Sequence, residues 1–143
     1  MARHGKSVTM LKKIASVAFL LDGLVIGLGG FGHGSEAATL HAAIDRFPID
    51  PDMHSMIYVV WYFLSGCMFV FGLTLAWAWW RLRAGDRRPV FAAALIGALY
   101  LATGVLGLIY RDGDPFMGFF VALGTVNLLS LYVLTADRTS IRT

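Results

Sequence analysis

The chain has 143 residues, of which 57% are hydrophobic and only 15% are charged. A soluble domain of this length exposes too much surface to water to carry so little charge, so the composition excludes an ordinary soluble domain. The formal net charge of +3 comes from basic clusters beside hydrophobic runs. In that setting they determine membrane topology, and no nucleic-acid partner is expected.

Four apolar runs are long enough to cross a bilayer, because a membrane-spanning helix needs about 20 residues. The sequence therefore predicts an all-α integral membrane protein with four transmembrane helices in an up-down-up-down bundle. Residues 1–143 form a single membrane domain, with spans at about 14–32, 55–80, 89–110 and 115–136.

The first predicted span carries an acidic residue near its centre. Asp22 is the only charged residue between Ile14 and Gly32. Inserting such a residue costs about 2.5–3.5 kcal/mol, so an intramembrane carboxyl group marks a functional site by default. Small residues at Ala15 and Ala18 share its helix face, which predicts that Asp22 points into the bundle.

Polar side chains at a similar depth in the other spans complete a predicted intramembrane polar site. Its members are Asp22, Ser65, Tyr100, Thr103 and Asn127. With no cation nearby, the carboxyl group is expected to be neutral and to donate a hydrogen bond to a partner such as Asn127. Two interpretations stay open. The group either forms an interhelical hydrogen bond worth about 0.6–2 kcal/mol, or it binds a proton or ion in a transport pathway.

Span one also carries a stripe of glycines, and span three has small residues at Gly97 and Gly104. The stripe consists of Gly23, Gly27, Gly30 and Gly34. Spacings of three and four residues place these glycines on one face, which is typical of closely packed helix pairs. The partner helix belongs either to the same chain or to another protein. Two such faces in so small a bundle favour assembly with a partner.

The connection 33–54 is long enough to hold a short helix at the membrane surface. His33 and His54 flank this connection, and histidines from two helices ligate haem in some four-helix membrane cytochromes. Buried haem ligands usually lie inside the spans, so haem is a low-ranked alternative. No metal site and no other cofactor are expected, because no close ligand spacing is present.

Helix starts and connection lengths predict the topology of the bundle. Asp50-Pro51 and Asp114-Pro115 each predict a capped helix start. The short connections 81–88 and 111–114 predict that consecutive spans are antiparallel neighbours. Basic residues concentrate on one side, which the positive-inside rule makes cytoplasmic, so both termini are expected inside a bacterial inner (plasma) membrane. These residues are Arg3, Lys6, Lys12, Lys13, Arg81, Arg83, Arg87, Arg88, Arg138 and Arg142.

No motif of a hydrolase, a metalloprotease or a nucleotide-binding enzyme occurs, so no catalytic residue is assigned and the chain is not expected to be an enzyme. The leading hypothesis is a small inner-membrane protein that acts by helix packing, as an accessory or assembly subunit of a membrane complex. Its expected partners are the lipid bilayer and other membrane subunits or copies of itself. The alternative is a small proton-coupled transporter or carrier that uses Asp22. A third hypothesis is a haem-binding membrane protein using His33 and His54.

Overall fold

A computed structural model describes the backbone of residues 2–136 and the side chains of residues 10–136. Arg138 and Arg142 of the topology prediction lie outside the described residues, as do the side chains of Arg3 and Lys6. The described chain is helical and contains α1 (Ala2–Ser35), α2 (Ala37–Ile44), α3 (Pro51–Arg83), α4 (Val90–Tyr110) and α5 (Pro115–Thr135).

Four of these helices are long and apolar enough to cross a membrane: Met10–Ser35, Pro51–Arg83, Val90–Tyr110 and Pro115–Thr135. The prediction of an all-α chain with four membrane-length helices is therefore confirmed. The chain is compatible with a multi-pass membrane protein.

The helices α1 and α3 extend beyond the apolar runs that predicted them. The helix α3 begins four residues before the predicted span, because the Asp50 side chain accepts a hydrogen bond of 2.9 Å from the backbone N–H of Asp52 and Pro51 fits the first helical position. The same cap starts α5, where Asp114 accepts a 2.9 Å bond from Phe116. A short helix, α2, does occupy the connection between the first two spans.

The helices pack as two pairs. The helix α1 lies along α3, α4 lies along α5, and the pairs meet where α1 contacts α5. The pairs are antiparallel: Gly23 lies beside Leu75 and Gly30 beside Ser65. The end of the bundle where α1 ends and α3 begins is called the α2 end. The opposite end is called the terminal end.

The helices α3 and α4 make few contacts, although a short loop joins them. The helices predicted to be antiparallel neighbours thus contact each other over only a small part of their length. A short loop holds two helix ends together, but it does not fix the distance between the helices further away.

Large apolar side chains cover much of the outside of the bundle. Phe63 is 68% exposed, Phe91 73% and Ile109 67%. A soluble monomer rarely exposes such continuous apolar surface, whereas lipid covers it in a membrane. The buried core is small and includes Phe19, Ile26, Leu75, Ala93, Ile96, Tyr100 and Leu131.

The loop after α3 is held by one carboxylate. The helix ends at Arg83, and Gly85 follows with a φ of 83°. The backbone N–H of Asp86 donates to the carbonyl of Arg81 over 3.0 Å, as in a Schellman motif. The Asp86 carboxylate accepts from the backbone N–H of Arg88 over 2.9 Å and from Arg81 Nε over 2.8 Å. These bonds and the two guanidinium groups hold the pKa of Asp86 below its usual range.

Candidate functional site

A buried hydrogen bond joins α1 to α5 in the middle of the bundle. Asn127 Nδ2 donates to Asp22 Oδ2 over 3.2 Å. Asn127 is fully buried and Asp22 is 4% exposed, so the carboxyl group points into the bundle as its small-residue helix face predicted. The amide is the donor in this geometry, whereas the sequence analysis expected the carboxyl group to donate.

Several polar atoms around this pair lack hydrogen bonds. Asp22 Oδ1, Asn127 Oδ1 and the Tyr100 hydroxyl are buried, and no group in the described part of the chain bonds to them. Leaving a buried polar atom unsatisfied costs about 1–3 kcal/mol. Three such atoms together mark this region as one where the bundle is not optimised for stability alone.

Among the described residues, the buried carboxyl group forms no ion pair. Within residues 10–136 the ion pairs involve Asp45, Asp86 and Asp114, all at the ends of the helices. The group that bonds to it in the described part of the chain is the Asn127 amide. Tyr100 is close enough to Asp22 for the two to interact electrostatically, and its hydroxyl group carries an unused donor.

Gly97 provides the space that Asn127 occupies. A Cβ atom at Gly97 would lie 2.5 Å from Asn127 Oδ1 and 3.1 Å from Leu128 Cδ2. Gly104, the other predicted packing glycine of this span, also faces α5, where a Cβ would lie 2.5 Å from the backbone nitrogen of Val121. Both glycines therefore serve the α4–α5 pair, and Gly97 also shapes the polar site.

The glycine stripe of α1 packs against α3 of the same chain. A Cβ atom at Gly23 would lie 2.9 Å from Leu75 Cβ, and one at Gly30 would lie 2.6 Å from the carbonyl oxygen of Ser65. A Cβ at Gly27 would lie 3.3 Å from the Cα of Gly72.

The remaining stripe residue, Gly34, makes only ordinary contacts with Ser65, 3.6 Å from its Oγ. Close packing within the chain, one of the two open interpretations, is what the structure shows for Gly23, Gly27 and Gly30. The sequence analysis missed Gly72, although a glycine in the middle of an apolar run is a usual signal of a close helix contact.

Two predicted members of the polar site lie elsewhere. Ser65 lies at the α2 end, where its hydroxyl oxygen is 2.8 Å from Nδ1 of His33. Thr103 is exposed and lines a cavity between α3 and α4. The structure thus brings together Asp22, Asn127 and Tyr100 but not the other two, because depth along a span does not determine which way a helix face turns.

A cavity of about 630 Å³ opens at the α2 end above the polar site. Its wall includes Ile26, His33, Trp61, Tyr100, Phe116 and Leu123. A smaller cavity of about 280 Å³ lies on the α3–α4 side and shares His33, Met68, Tyr100 and Phe120 with it. Ile26 and Leu123 each stand one helical turn from Asp22 and Asn127, so the cavity floor lies about 6 Å along the helices from the buried pair.

The histidines have separate partners. His33 Nδ1 bonds to Ser65, while His54 Nε2 lies 3.0 Å from Asp45 Oδ1. His41 stacks on Tyr58 with ring centroids 3.5 Å apart. Among the described residues no group of three or more His, Cys, Asp or Glu side chains could hold a metal ion.

Comparison with protein-family models, with curated proteins and with solved structures finds no match for this chain. The functional argument therefore rests on the geometry of the polar site and of the cavities.

Proposed function

We propose that this protein is a small proton-coupled carrier of a bacterial inner membrane, in which Asp22 binds the proton. In this proposal both termini are cytoplasmic and the α2 end faces away from the cytoplasm. The observation that carries the proposal is the buried Asp22–Asn127 pair, with unsatisfied polar atoms around it and a cavity directly above it.

The Asp22–Asn127 pair can form one more hydrogen bond if it gains a proton. Asn127 donates to Asp22, but Asn127 Oδ1 is an acceptor without a donor. A neutral carboxyl group has one O–H donor, whereas an ionised one has none. Gain or loss of a proton therefore changes how many bonds can join α1 to α5, and a change at this interface alters the contact between the two helix pairs.

Infrared difference spectroscopy of the protein in lipid tests the proton site without knowledge of the solute. We expect a carboxylic C=O band that responds to pH and disappears in Asp22→Asn. Asp22→Asn keeps a hydrogen-bonding side chain of the same shape, so the variant should remain folded. Asp45→Asn, at the α2 end, serves as the control and should leave the band in place. A spectrum in which Asp22→Asn removes no pH-dependent band would refute the proton-site proposal.

An accessory subunit is the second candidate function. The observation that favours it is the high exposure of α3. Only 11% of the most apolar part of α3 is buried, compared with 33% for α1. The exposed side chains of α3 include Phe63, Val70 and Leu73, and they would form the contact face with a partner. The glycine stripe is not available for this contact, because it packs α1 against α3.

Purification from native membranes in a mild detergent separates the two candidates. A stoichiometric membrane partner that is lost with Phe63→Ala and Val70→Ala, but retained with Leu21→Ala on α1, would favour the accessory role. A protein that purifies alone or with copies of itself would favour the carrier.

A further inference from the structure

Two short contacts surround His33 and Ser65. The Ser65 hydroxyl lies 3.0 Å from the backbone carbonyl of Trp61 and 2.8 Å from His33 Nδ1. A hydroxyl group has one proton, so when it donates to the carbonyl it accepts from the Nδ1–H of His33. A neutral imidazole has one N–H and one bare nitrogen, and in this tautomer Nε2 of His33 is a hydrogen-bond acceptor.

Trp61 holds this ring in place. The two rings stack with centroids 3.9 Å apart and planes 20° from parallel. Trp61 Nε1 also donates to the backbone carbonyl of His33 over 2.8 Å. Stacking, the Nδ1 bond and the indole bond together allow the imidazole little freedom. His33 lines both cavities, and the hydrogen bond of its ring to the described residues of the wall is at Nδ1, not at Nε2.

Tyr100 belongs to the wall of the same cavities but comes from a different helix. It lines both of them, and its ring stacks on Phe120 with centroids 5.6 Å apart. The side chain is 4% exposed, and its hydroxyl group is buried without a hydrogen-bond partner among the described residues. A buried donor of this kind calls for a partner, which the ligand proposed below supplies.

Most of the remaining lining of the larger cavity is apolar, with aromatic rings and the thioethers of Met68 and Met117. The only charged residues in this lining are Glu36 and Arg111, both at the α2 end. Arg111 already pairs with Asp114 over 2.8 Å, and this carboxylate weakens the attraction of Arg111 for an anionic ligand. An uncharged ligand fits this wall best.

We infer that the cavities around Tyr100 and His33 bind a membrane-soluble alcohol or phenol, whose hydroxyl group donates to His33 Nε2 and whose apolar body lies among the aromatic side chains. Tyr100 donates to an oxygen atom of the ligand. A volume of about 630 Å³ lies within the usual range of about 300–1,000 Å³ for small-molecule sites.

Such a ligand reaches the site through the lipid. The helices α3 and α4 make few contacts, and Leu64 and Leu99, which line the smaller cavity, are 47% and 49% exposed on the outside of the bundle. The smaller cavity therefore connects the polar groups to the lipid-facing surface. As the substrate of the carrier, this ligand rests on the proposed function, but its binding does not require Asp22.

Calorimetric titration of the full-length protein in nanodiscs tests the inference with two probes, 4-hexylphenol and its methyl ether, 4-hexylanisole. The ether has the same apolar body but no hydroxyl donor. After subtraction of partitioning into empty nanodiscs, we expect the phenol to bind about tenfold more tightly, as one hydrogen bond would give. Equal affinities for the phenol and the ether would overturn the inference.

Matched variants locate the bond. His33→Phe keeps the stacking on Trp61 and should reduce phenol affinity to that of the ether, while the unchanged ether affinity shows that the cavity is intact. Tyr100→Phe should weaken both probes, because the ether oxygen accepts a hydrogen bond from Tyr100 as the phenol oxygen does. His54→Phe and Tyr110→Phe, outside both cavities, should change neither probe. Full phenol selectivity in His33→Phe, or loss of ether binding with it, would overturn the assignment.

Asp22→Asn separates this inference from the proposed function. Phenol binding should persist in this variant. If the phenol binds selectively but Asp22 shows no pH-dependent band, the proton carrier fails and the ligand site stands. If the band is present but selectivity is absent, the ligand class fails and the proton site stands.

Discussion

At the scale of single residues, the Asp22–Asn127 pair combines a modest energy with a strict geometry. Hydrogen bonds between membrane helices contribute about 0.6 kcal/mol on average and at most about 2 kcal/mol. The cost of leaving one partner alone in the buried site is larger, at about 1–3 kcal/mol. The two partners are therefore not equivalent targets for substitution.

Removing the amide should be more damaging than neutralising the acid. We expect Asn127→Val to lower the free energy of unfolding by about 1–3 kcal/mol, because it strips Asp22 of its hydrogen-bond donor. Asp22→Asn should lower it by less than about 1 kcal/mol, because one amide can still bond to another. Reversible unfolding in mixed micelles measures both losses, and equal losses would contradict the expected difference between the two partners.

Gly97 should be sensitive to a single methyl group. A Cβ in this position would meet the Asn127 side-chain oxygen, so Gly97→Ala should destabilise the protein by about 1–3 kcal/mol through overpacking. Gly66→Ala is the matched control, because no atom lies within 4 Å of its added Cβ, and alanine favours helix by up to about 1 kcal/mol over glycine. If the added methyl group displaces the Asn127 side chain, Gly97→Ala should destabilise the protein less in a variant that already carries Asn127→Ala.

At the scale of the elements, the connection between α3 and α4 depends on one side chain. Asp86 accepts from the backbone of Arg88 and from the side chain of Arg81, and these contacts act on the loop conformation and not on the packing of the two helices. The loop therefore keeps its form although the helices beside it make few contacts.

The loop should loosen in acid. Because the pKa of Asp86 is lowered in the folded protein, its stabilisation is fully present above the ordinary range of an aspartate. That stabilisation is lost as the pH falls through the lowered pKa. Asp86→Asn should remove the acid dependence and leave the loop looser at neutral pH. Hydrogen exchange of the amides at 84–88 as a function of pH measures this, with Asp112→Asn as the control. Identical profiles for wild type and Asp86→Asn would contradict it.

At the scale of the whole molecule, the sequence predicted the helices better than their arrangement. A bilayer accepts a spanning segment only as a helix or a barrel strand, so long apolar runs suffice to predict four helices. The Asp-Pro pairs correctly placed the starts of α3 and α5. Pairing and rotation depend on side-chain packing between distant residues, which no local pattern contains. Ser65 therefore bonds to His33 and not to Asp22, and Gly27 packs against Gly72 of the same chain.

The order in which the chain is synthesised gives the Asp22–Asn127 contact a further significance. Its two residues are 105 positions apart, and the donor lies on α5, the last of the described helices along the chain. At about 5–20 residues per second this separates their appearance by roughly 5–20 seconds. During that interval α1 must lie in or beside the membrane while Asp22 lacks its hydrogen-bond donor. The helix α5 thus completes the polar site of α1, and a chain truncated before α5 would leave Asp22 without its amide donor.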